Sequence, residues 1–237
     1  MVTKEDYFSN RANSLNSRKV FNHQESIRII QDYCGKDAWI LDVGSGTGIV
    51  SRALAENGNH VLSVDRTINM LENDHGSHSR VVADACQLPF SNKSFDCVLC
   101  RQAIHYFENI DLFYHEARRV LKNGFSLVIA QLTSFSDEDY DYWKKILECC
   151  NPHRIHFFSK NDIIDTAKKA SFELTSYSAS RCKLLFSEWS AGINRKNELF
   201  RMYQDAPQSY TELNQIKNIG HDDFEFSVNW SIFKFNL

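Results

Sequence analysis

The run Leu41-Asp42-Val43-Gly44-Ser45-Gly46-Thr47-Gly48 sets three alternating glycines just behind an acid. Glycines in such a turn let backbone approach a ligand closely and present amides at the start of a helix. The spacing is not the G-x-G-x-x-G of a dinucleotide turn, because the sixth position is Ile49 counted from Gly44 and Ser51 counted from Gly46. Asp42 would repel a pyrophosphate and suits a ligand with a cationic end. Asp65, in the run VLSVDRT, lies 17 residues beyond Gly48, where a carboxylate can accept from both hydroxyls of a ribose. The glycine spacing and Asp42 together argue against a nicotinamide oxidoreductase. His105, in RQAIHYF, is neutral near pH 7 and suits a general base, or else a hydrogen-bonded structural role. Arg101 and Gln102 in the same run are candidates to grip an acidic or carbonyl-bearing acceptor.

These residues need a scaffold that brings turn, acid and His together, and the hydrophobic periodicity supplies one. Residues 25–34 read as a helix stopped by Gly35, and 39–43 as a short buried strand leading into the glycine turn. Helix 49–57, strand 60–64, helix 68–72 and strands 80–83 and 94–101 follow. Residues 109–123 read as an amphipathic helix, capped by Asn109 and ended by Gly124, before a strand at 125–132. Strands alternating with helices imply a parallel sheet covered on both faces, with ligands at the carboxyl ends of the strands. Beyond it come a helix at 137–150, a helix capped by Ser159 with Asp162 as its capping-box partner, and a strand near 173–185. Phe224, Phe226, Val228, Trp230 and Ile232 alternate with polar residues, the pattern of a half-buried antiparallel strand. Residues 187–223, too long for a hairpin turn and rich in aromatics, read as a helical lid.

The sequence resembles the class I S-adenosylmethionine-dependent methyltransferases, and in particular the small-molecule subgroup similar to the ubiquinone and menaquinone enzymes. The resemblance covers about residues 7–133 and rests on LDVGSGTG, VLSVD, DACQLPFSNKSFDCVLCRQAIHYF and ARRVLKNG in order. It implies a Rossmann-like doubly wound α/β sheet, mostly parallel with an antiparallel last strand, that binds S-adenosyl-L-methionine and releases S-adenosyl-L-homocysteine. By the same resemblance Gly44 and Gly46 line the methionine part with Asp42 nearby, and Gly48 serves helix packing. Asp65 would hold the ribose with Arg66 beside it, Asp84 and the Ala85 amide would hold the adenine, and backbone at Arg101 would face the amino group. The opening YFSNRANSL resembles a covering segment in which Arg11 pairs with the methionine carboxylate. His105 matches in position a base of some O-methyltransferases.

Composition narrows the acceptor. Lys and Arg total 27 against 30 Asp and Glu, a net charge of −3, with no basic block to track a phosphate backbone. Neither the Asn/Asp-Pro-Pro-Tyr run of amino-methylating nucleic-acid enzymes nor a Pro-Cys pair occurs. Nucleic acid is therefore disfavoured as a partner and a small-molecule acceptor expected, apolar or aromatic to suit the aromatics of residues 187–223. The alternative is a cofactor-binding protein of the same fold without methyl transfer. The 7 cysteines show no repeated spacing, and no apolar run reaches membrane-span length, so free thiols and a cytoplasmic protein are expected. Cys97 and Cys100 lie three apart on a strand and point to opposite faces. The cluster Cys149, Cys150, His153 and His156 has no second pair, and no metal is assigned. The whole chain, 1–237, reads as one domain: an N-terminal helical cover (1–34), a cofactor-binding core (35–133) and a substrate-side half (134–237).

Overall fold

The computed structural model describes residues 4–218 and 223–237. In chain order, α1 (Lys4–Leu15) and α2 (Gln24–Cys34) precede β1 (Trp39–Val43), α3 (Ile49–Glu56), β2 (His60–Asp65), α4 (Ile68–Glu72), β3 (Ser79–Val82) and β4 (Phe95–Arg101). A 3-10 turn at Ile104–Tyr106 leads to α5 (Ile110–Val120), β5 (Leu121–Thr133), α6 (Tyr140–Cys150), α7 (Lys160–Lys169) and β6 (Glu173–Leu185). Then come α8 (Phe186–Trp189), α9 (Lys196–Gln204), α10 (Gln208–Leu213), β7 (Lys217–Asn218) and β8 (Phe224–Asn236).

The main sheet runs β3-β2-β1-β4-β5-β8-β6, with β7 paired to β8. Strands β1 to β5 are parallel, and β8 is antiparallel to both β5 and β6. The chain winds outward from β1 to β3 and returns to β4 on the other side of β1, so the order reverses between β1 and β4. That reversal leaves a crevice at their carboxyl ends, where the glycine turn emerges.

Period-2 alternation sorts the core into two layers. Ile40, Leu99, Val128 and Trp230 face one side with Ile30 of α2, Leu54 of α3 and Trp143 of α6. Leu41, Val98, Ile129 and Phe233 face the other with Phe113 of α5 and Ile163 of α7. Cys97 and Cys100 fall in different layers, as their spacing requires. The expected caps are present: Asn109 accepts from the Leu112 amide at 3.0 Å, and Ser159 forms a reciprocal capping box with Asp162.

Three expectations change. Helix α5 stops at Val120, because Leu121 pairs with Phe95 and extends β5, the irregular Leu121–Gly124 stretch being absorbed as a register shift. Strand β8 is buried on both faces, since a core layer packs on each side of the sheet, with Trp230 and Ile232 in one and Phe233 and Phe235 in the other. Its polar face is satisfied internally: Ser231 Oγ lies 2.7 Å from Thr133 Oγ1, and Asn229 Nδ2 donates to the Ser134 carbonyl at 3.1 Å. Third, the described part of 187–223 is helical but does not cover the crevice. Its aromatics pack on one another and on α6 and β8, with Tyr203 against Phe224 at 5.1 Å and the Tyr142 hydroxyl donating to the Met202 carbonyl at 2.6 Å. Residues 219–222 of that stretch lie outside the described residues. Among the described residues no helix is long and apolar enough to cross a membrane.

The capping box at Ser159 gives a check on the local folding logic. Ser159→Ala is expected to lower the unfolding free energy by about 1 kcal/mol, read as a lower urea midpoint at unchanged slope.

Candidate active site

The crevice opens into a cavity of about 540 Å³ at the carboxyl ends of β1, β2 and β4. The glycine turn forms its floor. The amides of Gly44 and Ser45 both donate to the Val64 carbonyl, at 2.7 and 3.0 Å, which folds the turn back over the end of β2. Gly44 has φ +71°, and a Cβ there would lie 2.3 Å from the Ala103 Cβ, so only glycine fits. Gly48 is the N-cap of α3, and a Cβ on it would strike the Asp74 carboxylate at 2.0 Å, in keeping with a packing role.

Asp65 ends β2 and joins two loops. Its Oδ2 accepts from the Gly46 amide and its Oδ1 from the Thr67 amide, both at 2.9 Å. Burial raises its pKa, and those amides oppose the rise. A carboxylate oxygen can accept more than one hydrogen bond, so such an acid can hold a loop and a ligand hydroxyl together.

Asp42, at the end of β1, is almost fully buried. Its Oδ2 accepts from Ser51 Oγ at 2.5 Å, and Ser51 accepts from Ser63 Oγ at 2.7 Å. Its Oδ1 is buried with no hydrogen-bond partner. Desolvation pushes the carboxyl up to about 6, against the Ser51 hydrogen bond and the charge of Arg101. Such an orphaned oxygen in the wall of a cavity fits a cationic ligand.

At the far end, Asp84 Oδ1 accepts from the Cys86 amide at 2.8 Å beside the buried Ala85. Arg66 is exposed at the mouth, 3.5 Å from Glu108 Oε1 and 4.0 Å from Asp84 Oδ2. The cover comes from α1, whose Phe8, Arg11 and Leu15 share one helical face and line the cavity. Arg11 donates to the Tyr7 hydroxyl and stacks over its ring, and Phe8 meets the Tyr106 ring edge-on at 4.8 Å. The following Arg18 donates to the carbonyls of Trp189 and Ala191, strapping the N-terminal segment to α8.

All the candidates named for cofactor binding line this one cavity: Arg11, Asp42, Gly44, Gly46 and Asp65 on its inner walls, and Arg66, Asp84, Ala85 and Arg101 toward the mouth and β4. Two side chains behave differently from expectation. Arg101 does not reach out to an acceptor: its Nη2 donates to the Phe21 carbonyl at 2.7 Å, and its guanidinium stacks over Trp230 at 4.4 Å. Burial lowers its pKa to about 10, and Asp42 resists that fall.

His105 is buried behind the wall and is not among its lining residues. Its Nδ1 lies 3.1 Å from Gln131 Oε1, and its carbonyl accepts from the amides of Ile155 and His156 at 3.0 and 3.1 Å. Burial, reinforced by the charge of Arg154, holds its pKa well below 6.5. Tyr106, the next residue, lines the cavity instead. The one-residue offset follows from the 3-10 turn, which sends consecutive side chains to different sides. His153 packs against Tyr7 at 4.5 Å and His156 Nε2 lies 2.9 Å from the Phe107 carbonyl.

Strand order, glycine turn and the acids ending β1 and β2 define a Rossmann-like class I methyltransferase fold. Residues 41–129 match the methyltransferase domain family, and the chain has the Rossmann-like fold of the class I methyltransferases. It is 27% identical over 161 residues to a malonyl-[acyl-carrier protein] O-methyltransferase of Hamiltonella defensa, covering 66% of this chain and 62% of that one. It is 29% identical over 140 residues to a demethylmenaquinone methyltransferase of Thermobifida fusca, covering 56% and 58%. In both cases the matched part spans less than two thirds of the curated relative. The crystal structure of YcgJ from Bacillus subtilis superposes with a TM-score of 0.79 over 90% of this chain and 98% of that one, at 18% identity, a likeness of fold.

Asp42 gives a pH signature of the site. Its native pKa of about 6 lies above its ordinary 3.8, so on raising the pH the unfolded chain ionises first. The buried carboxyl therefore destabilises the fold increasingly between about pH 4 and 6, and by a constant amount above. Asp42→Asn is expected to be more stable than wild type by about 1–3 kcal/mol at pH 7.5, the gap closing near pH 4. Urea melts of both proteins at the two pH values check this, and a gap independent of pH overturns it.

Proposed function

We propose that the protein transfers a methyl group from S-adenosylmethionine to a small-molecule acceptor. The observation that carries this reading is the buried Asp42 carboxylate, whose unpartnered Oδ1 lies beside the glycine turn. An oxidoreductase turn has no use for such a group, whereas the ammonium of an amino-acid cofactor satisfies it. The cofactor supplies, when bound, a methyl group activated by a sulfonium.

In this reading Asp42 takes the ammonium and Arg11 the carboxylate of the methionine part. Asp65 accepts from the ribose hydroxyls while still holding the Gly46 and Thr67 amides. Asp84 accepts from the adenine amino group, the Ala85 amide donates to the ring, and Arg66 closes that end through Asp84 and Glu108. The Arg101 side chain braces the wall between Phe21 and Trp230. Methyl transfer is an in-line displacement, so the protein's contribution is to align the acceptor and exclude water. Phe8 and Tyr106, meeting edge-on, serve that exclusion. The small-molecule class is supported by the size of the cavity and by the name of the demethylmenaquinone relative. We assign His105 to positioning: neutral and bonded to Gln131, it fixes the turn that carries Tyr106 and anchors residues 155 and 156.

Calorimetric titration with S-adenosylhomocysteine, with NADH as control, tests the cofactor. Stoichiometric binding of the first near micromolar Kd and none of the second is expected, and the reverse overturns the reading. Asp65→Ala is expected to weaken S-adenosylhomocysteine at least about tenfold, since hydrogen bonds to an ionised group are worth about 1.5–3 kcal/mol each. His105→Asn is expected to leave that affinity within about twofold while lowering Tm by several degrees, as for a lost buried hydrogen bond.

A further inference from the structure

The chain leaves β4 at Gln102 in a conformation that a glutamine rarely adopts. Its φ is +52°, and of the non-glycine residues with positive φ among the described residues it alone lines the cavity. A left-handed backbone at a residue with a long side chain costs energy, and such strain collects at functional sites. The Gln102 Oε1 is also buried with no hydrogen-bond partner. A buried amide oxygen without a donor is a second cost, and a ligand that brings a donor removes it.

The place of Gln102 in the sheet says which ligand that is. Its amide donates to the Ala130 carbonyl at 2.8 Å, which fixes it on the β5 side of β4. The acids assigned to the cofactor lie the other way along the sheet, Asp42 in β1, Asp65 ending β2 and Asp84 just after β3. The orphaned Asp42 oxygen has the cofactor's ammonium to meet, whereas nothing in the cofactor reading meets Gln102. The ends of β4 and β5 are therefore left to the acceptor, and the rings of Phe8, Phe21 and Tyr106 line the same cavity. Because the buried atom is the amide oxygen, its partner is a donor and not the carbonyl or acid expected from the sequence. Arg101, the preceding residue and another in the cavity wall, stays cationic at neutral pH and disfavours a charged amine, so the donor is neutral, a hydroxyl being the simplest.

We propose that Gln102 seats the methyl acceptor, its Oε1 accepting a hydrogen bond from a neutral hydroxyl that the acceptor carries. This rests on the methyltransferase reading and adds the residue and the chemical group that fix the acceptor. Gln102 is a specificity-determining residue: an analogue without the hydroxyl leaves the buried oxygen unpaired and is rejected.

The test titrates phenol and anisole, which share a ring and differ in the donor, into protein saturated with S-adenosylhomocysteine. Phenol is expected to bind at least about tenfold more tightly. Gln102→Leu is expected to abolish that preference, and Gln102→Asn, a shorter amide that tolerates positive φ, to keep part of it, each with S-adenosylhomocysteine affinity within about twofold of wild type. Gln102→Gly relieves the backbone, so it is expected to lose the preference while Tm holds or rises by a few degrees. Equal affinities for phenol and anisole in wild type overturn the proposal, as does a phenol that shows no binding up to about 10 mM. A preference that survives Gln102→Leu or Gln102→Gly overturns the role of Gln102. Loss of the preference only alongside a lowered Tm in both variants assigns Gln102 to the fold, and a loss of S-adenosylhomocysteine affinity of about tenfold assigns it to the cofactor; either overturns the proposal. Failure of wild type to bind S-adenosylhomocysteine at all is a different result, which overturns the cofactor reading and this one with it.

Discussion

The site depends on one carboxylate that serves two loops. Asp65 ends β2, yet its oxygens hold the amide of Gly46 after β1 and of Thr67 after β2. That bridge helps to hold the glycine turn at its positive φ angles, against the large conformational entropy that a flexible turn loses on ordering. The Val64 carbonyl fixes the same turn from beneath. Everything else in the cavity is placed relative to this knot: α3 begins from it, Ala103 packs against Gly44, and Asp42 lies buried behind it.

Electrostatics then divides the cavity. Burial is the leading cause of the shifts at Asp42, Asp65, Arg101 and His105, and each is held in a form a solvated group would not favour as strongly. A low-dielectric pocket makes an unmatched charge expensive, and it also makes the matching ligand bind selectively.

Much of this was legible in the sequence because it is local. The glycine turn, the acid at the end of β2 and the caps at Asn109 and Ser159 are set by neighbours within a few residues. What was hidden depends on distant partners. The alternation in β8 shows two unlike faces, but only the layers packed on either side of the sheet bury both. The boundary of α5 moved because pairing of Leu121 with Phe95 outweighs helix propensity there. The direction of Arg101 is set by Phe21 and Trp230, far from it in sequence, and the exclusion of His105 from the cavity wall by a single 3-10 turn.

The place of β8 bears on how the chain is made. Strands β5 and β6 are synthesised well before residues 224–236, yet they do not touch as neighbours; the later strand fills the gap between them. Until it leaves the ribosome, the nascent chain presents two long unpaired edges, with apolar residues such as Val128 and Cys182 beside them. Open edges of that kind recruit other chains. A chain cut short before residue 224 would therefore keep both edges open and be prone to aggregate, which ties the solubility of this fold to the arrival of a single late strand.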